Sequence, residues 1–176
     1  MELTSREFWT ALHGMIFGAG FLLVFSAGWI SLWNLRPNWV APAGEDRAVR
    51  QATAILWIMS LLAWIAVLMG TWIIYPWYRA KPDIVQPLAN FPKYFLLASS
   101  ATSEWHEFGM EWKEHLAWLV PILATAVAAA VSKARTSIIR DAVLRRTLLA
   151  MYAVAFGAAA IAGLLGALIN KAAPIR

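Results

Sequence analysis

The run Ser103-Glu104-Trp105-His106-Glu107-Phe108-Gly109-Met110-Glu111-Trp112-Lys113-Glu114-His115 holds four carboxylates and two of the chain's three histidines. It passes without a break into the apolar stretch Leu116 to Val131. Ionisable groups at membrane depth are costly and persist where they are paired, ligated or used. On a helical wheel of about 100° per residue, with His106 at the origin, Glu114, Glu107, Glu111, Glu104 and His115 fall between about 80° and 180°. The carboxylates therefore share one face, with His115 at its edge and His106 directly opposite. Trp118 continues the acidic face. We expect that face to turn inward and His106 to turn away, which makes Glu107, Glu111, Glu114 and Trp118 a candidate proton or quinone site.

His13 is the second candidate. It follows the aromatic pair Phe8-Trp9, and Gly14 and Gly18 flank it in a GxxxG spacing. Such spacing admits close approach of another helix or of a flat macrocycle. If the first and third apolar segments run the same way through a bilayer, His13 and His115 lie in one leaflet at similar depth. Two imidazoles on neighbouring or diagonal helices are what bis-histidine ligation of a b-type haem requires, and diagonal helices of a bundle leave room for a porphyrin. The sequence thus nominates His13 and His115 as haem-iron ligands, with Gly14 and Gly18 against the ring. Two stacked haems are not expected, because no helix carries histidines one below the other. A carboxylate di-iron centre is not expected either. It needs acids from four helices, whereas Gln51 to Tyr78 has no Asp, Glu or His and the last helix offers only Asp141 at its far end.

These residues need elements to hold them, and composition says which. Of the 176 residues 61% are hydrophobic and only 14% charged, and the mean hydropathy is +0.60. Four apolar stretches approach the roughly 20 residues that span a bilayer. The expected fold is all-α: an integral-membrane four-helix bundle, up-down, with helices at about 5–33, 47–75, 103–133 and 137–170. It forms a single transmembrane domain over residues 1–176, with both termini on the same side. We expect no soluble catalytic domain. The first segment reads as a permanent helix rather than a removable signal peptide, since Glu2, Arg6 and Glu7 replace a basic cluster and the apolar core is long. Thr4 and Glu7 match a capping box at its start.

The charge-free part of the third helix, counted from His115, covers about 27 Å, against about 40 Å for the first two. Aligning them sets Glu111 and His115 within the aromatic belt. Arg36, Arg47, Arg50, Lys133, Arg135, Arg140, Arg145 and Arg146 gather on the loop side. That bias favours a bacterial inner membrane with both termini periplasmic. The formal charge of +5 is read as lipid and loop chemistry rather than nucleic-acid binding. Absence of cysteine removes disulfides, thiolate metal sites and iron–sulfur clusters. Ser26, Ser31 and Ser60 lie isolated in helices, so nucleophilic catalysis has no support. Ala155, Ala159, Gly163 and Ala167 form a small-xxx-small ridge suited to close helix packing.

The sequence therefore leads us to expect a small membrane subunit of an electron-transfer complex of respiratory or photosynthetic type. It would be non-catalytic or only jointly catalytic, hold haem b or a quinone near one membrane face, and contact other membrane subunits and the lipid bilayer. The competing readings are a scaffold or assembly subunit, and an oligomeric proton or cation transporter.

Overall fold

The computed structural model describes residues 4–16 and 20–175. The described residues form an all-α protein. Helix α1 (Ser5–Met15) opens on the expected capping box: the Glu7 amide donates to Thr4 Oγ1 at 3.2 Å, and the Thr4 amide donates to the Glu7 carboxylate at 2.8 Å. Helix α2 (Phe21–Asn34) follows beyond residues 17–19, and Leu35 and Arg36 turn the chain. Pro42–Gly44 forms a short 3₁₀ turn that feeds α3 (Glu45–Met69). That helix passes through a π-helical turn, Gly70–Ile74, into α4 (Tyr75–Tyr78). After Pro82 and Pro87 break the chain, α5 (Pro92–Leu97) lies in the long connection. A second π turn, Trp105–Met110, leads into α6 (Glu111–Ala134), then α7 (Ser137–Arg140) and α8 (Ala142–Ala172).

Among the described residues three continuous helices are long and apolar enough to cross a membrane: Pro42–Tyr78, Trp105–Ala134 and Ala142–Ala172. The expected clean set of four is thus met in part. The first predicted span is described as two shorter helices on either side of residues 17–19. The last begins at Ala142 rather than near Ser137, because Asp141 adopts an extended backbone and caps α8, its Oδ1 accepting from the Leu144 amide at 2.9 Å.

Helix α6 packs between α3 and α8, and α2 lies against both α3 and α8. The main core joins Phe21 and Leu32 of α2, Leu56 and Met59 of α3, Val120 and Val127 of α6, and Leu148 and Tyr152 of α8. Phe25 stacks on Phe156 at 4.0 Å and on Tyr152 at 4.9 Å. The Tyr152 hydroxyl donates to Met59 Sδ, which gives a buried polar atom a partner. Hydroxyls stitch α3 to α6. Ser60 and Thr125 share a 2.7 Å hydrogen bond, and the Trp64 and Trp57 indoles donate to Thr125 and Ser132 at 3.0 Å each. A second apolar cluster forms at the other end, where Tyr78, Leu96, Met110, Ile169, Ala173 and Ile175 meet Trp9 and Trp105.

Irregular backbone concentrates at that second end. Both π turns lie there, and α1 packs against the one at Gly70–Ile74. A π turn widens the helix by one residue and re-aims the side chains that follow; such turns are frequent at functional sites.

Candidate functional site

A cavity of about 600 Å³ lies between α1, the end of α3, the start of α6 and the later half of α8. Its walls are mostly apolar, and the side of α8 that meets it is rich in small residues, including Ala160, Gly163 and Ala167, beside Phe156, Leu164 and Ile169. The ridge expected to seal two helices together is therefore split. Ala155 and Ala159 are buried in the bundle, whereas Gly163 faces open space, with nothing within 4 Å of an added Cβ. Small side chains here leave the volume that a larger residue would fill.

Polar side chains from α1, α4 and α6 converge on the cavity. His13 reaches it from α1, and its ring lies against Gly70, where a Cβ would sit 3.0 Å from His13 Cε1. Lys113 reaches it from α6 along Gly166, where a Cβ would sit 2.9 Å from Lys113 Cε. Each glycine thus opens a slot for one cationic or basic side chain on a neighbouring helix. The two side chains are close enough for the Lys113 charge to act on the His13 ring. Among the described residues the Lys113 ammonium has no hydrogen-bond or ion-pair partner, and Glu114 is the carboxylate whose field reaches it.

Glu114 anchors the third corner. Its Oε2 accepts from the Tyr75 hydroxyl at 2.6 Å, and that hydroxyl in turn accepts from Arg79 Nη1 at 2.6 Å. Its Oε1 is buried and has no hydrogen-bond partner among the described residues. Tyr78 completes the set, sharing a 3.0 Å hydrogen bond with His106 Nδ1. The i,i+3 spacing of Tyr75 and Tyr78 places both hydroxyls on one side of α4, facing α6. The Trp118 indole closes the wall, edge-on to Trp64 and Trp72 at 6.2 and 6.3 Å.

The predicted site residues are therefore divided. His13, Gly14, Glu114 and Trp118 line the cavity. Gly18 lies outside the described residues. Glu107 is exposed and Glu111 half-buried, and neither reaches the wall. His115 is exposed on the outer side of α6, its Nδ1 2.7 Å from the Glu111 carbonyl oxygen. The structure does not bring His13 and His115 to one site, so the pairing expected for a haem iron is not formed by these two side chains. His106, expected to face away, is instead buried at 7% exposure. Glu114 and Trp118 of the expected inward face do turn to the cavity, whereas Glu107 and His115 are exposed, and the π turn Trp105–Met110 takes His106 off the uniform 100° spacing. His106 is buried, as are Met110, Val120 and Ala124 further along, and burying one histidine on a tyrosine costs less than burying several carboxylates. Among the described residues no three His, Asp or Glu gather to hold a metal ion.

Sequence reasoning also passed over Lys113, Tyr75, Tyr78 and Arg79. Nothing in the spacing of Gly70 and Gly166 marked them, because each opens its slot only against a side chain brought from a helix distant in sequence.

Comparison with family models, curated proteins and solved structures finds no match to this chain.

Proposed function

We propose that this protein is a small integral-membrane subunit of an electron-transfer complex whose cavity binds the ring of a quinone-class molecule. The observation that carries the reading is the pairing of an unpartnered Lys113 ammonium with a half-satisfied Glu114 carboxylate in an otherwise apolar cavity of about 600 Å³. Pockets of this size with few convergent polar groups suit one small amphipathic ligand. A quinone carbonyl accepts a hydrogen bond from Lys113. A quinol hydroxyl donates one to the Glu114 carboxylate. The Ala and Gly face of α8 offers a flat surface for the ring, and apolar walls suit its tail. Tyr75 and Arg79 hold the carboxylate and lead from it toward the surface, so a proton leaving the ligand has hydrogen-bonded groups beside it.

Within this reading both termini face a bacterial periplasm, because the basic residues gather at the opposite end. His13 lines the cavity and His115 does not, and this reading therefore takes the quinone rather than a bis-histidine haem. One observation favours a partner-binding role beside it: Phe108, Trp112, Leu119 and Ile122 leave an exposed apolar strip on α6, the kind of surface that other membrane subunits cover.

The test is titration of the purified protein with a short-chain quinone, read by quenching of tryptophan fluorescence. Saturable quenching that weakens at least about tenfold in Lys113→Met is expected, since losing a charge-assisted hydrogen bond costs about 1.5–3 kcal/mol. Quenching that is linear, or indifferent to Lys113 and Glu114, overturns the reading. Absorption spectra of the same preparation decide the haem alternative.

A further inference from the structure

Tyr78 and His106 form a buried polar pair that ring binding by Lys113 and Glu114 leaves unused. Tyr78 is part of the cavity wall. His106 is buried next to it, off the wall, at 7% exposure. The Tyr78 hydroxyl and His106 Nδ1 are 3.0 Å apart, and the two rings meet at a centroid distance of 5.8 Å with a tilt of 51°.

Irregular backbone brings the pair together. His106 is carried by the π turn Trp105–Met110, and Tyr78 ends the short helix that follows the π turn Gly70–Ile74. Tyr75, one turn before Tyr78, has its ring 16° from parallel to it at 6.4 Å, and its hydroxyl holds Glu114 at 2.6 Å. Helix α4 thus offers two tyrosines to α6, one bonded to a carboxylate and one to an imidazole. Ionisable side chains kept at membrane depth commonly mark proton relays.

A quinol that becomes a quinone gives up two electrons and two protons, and Glu114 can accept one of the protons. We infer that Tyr78 and His106 carry the other, an inference that rests on the quinone reading of the cavity. When Tyr78 donates to His106 Nδ1, its oxygen is left to accept from the second quinol hydroxyl. The quinol proton passes to the Tyr78 oxygen while the tyrosine's own proton moves to His106 Nδ1. Tyrosine ends neutral, as it began, and His106 ends as imidazolium. The electrons go to a one-electron acceptor of the haem or iron–sulfur class in the parent complex. The way out to water is short, because His106 is the second residue of the helix Trp105–Ala134 and exposed Glu104 and Glu107 adjoin it in the chain. The charged groups around the imidazole are Lys93 and Arg79 against Glu107 and Glu111, two of each sign.

Stopped-flow oxidation of a short-chain quinol bound to the purified full chain, with ferricyanide as acceptor, tests the relay beside the quenching titration. His106→Ala is expected to slow oxidation about a hundredfold, the lower end of what a positioned proton acceptor contributes. Added imidazole should restore the rate, whereas pyrazole, of the same shape but hardly basic, should not. Tyr78→Phe keeps the ring and should slow oxidation similarly, without rescue by imidazole. Rates that survive both substitutions overturn the relay, and so does rescue by pyrazole equal to that by imidazole, which would mark a packing role. Saturable quenching with unchanged rates removes the relay alone. Linear quenching in the unsubstituted protein removes the quinone reading and the relay with it.

Discussion

Gly166 stands against Lys113 so closely that a methyl group on it would lie 2.9 Å from Lys113 Cε. The contact is with the far end of a flexible side chain, so it yields by moving the ammonium rather than the backbone. Gly166→Ala should therefore leave thermal stability within about 0.5 kcal/mol, as exposed or yielding substitutions do, and still weaken quinone-induced quenching. Gly166→Leu adds more atoms than the slot can pass aside and should cost about 1–3 kcal/mol by overpacking. Unfolding in a denaturing-detergent series, set beside the quinone titration, separates the two effects.

The slot at Gly70 is tighter in kind, since the neighbour is the His13 ring. Alanine in place of a helical glycine ordinarily stabilises by about 0.5–1 kcal/mol. That gain is expected in the His13→Ala background, where the ring is gone. In the unmodified protein the same Gly70→Ala should be neutral or destabilising. A double-mutant cycle is the measurement, and a coupling of about 0.5–3 kcal/mol is expected for side chains in contact. Purely additive effects would show that the two residues do not touch.

Tyr75→Phe removes the hydroxyl that holds Glu114 Oε2 at 2.6 Å. Oε1 already lacks a partner among the described residues, so the variant leaves a partly buried carboxylate without support. A loss of about 1–3 kcal/mol is expected for stranding such a group. The double variant Tyr75→Phe/Glu114→Leu should recover part of it, because both polar partners are then gone together. Equilibrium unfolding of the three proteins provides the check.

The two histidines of the third segment should behave in opposite ways. His106→Ala empties a buried position and strands the Tyr78 hydroxyl, 3.0 Å away, at an expected cost of about 1–3 kcal/mol. His115→Ala removes an exposed ring and should stay within about 0.5 kcal/mol. Melting curves that reverse this order would mean that His115, not His106, is the buried histidine.

How much of this was legible beforehand depends on which quantity is asked of the chain. The Thr4–Glu7 capping box and the apolar runs of α3, α6 and α8 are local properties. They depend on the spacing of a few residues and on hydropathy, and reading them from the sequence succeeded. Which way α6 is rotated about its axis is not local. Periodicity sets the angles between side chains on one helix but leaves the whole set free to turn until α3 and α8 pack against it. There Val120 and Ala124 took the interior, and the acids Glu107 and Glu111 were left off the cavity wall. The slots at Gly70 and Gly166 were equally hidden, because a glycine shows its use only when the side chain it admits, from a helix distant in sequence, is in place. Hydropathy and spacing thus determined that this is a helical membrane protein with ionisable groups near one end. Packing between helices decided that His13, Lys113 and Glu114, rather than His13 and His115, share a cavity, since only the rotation and approach of whole helices bring such residues together.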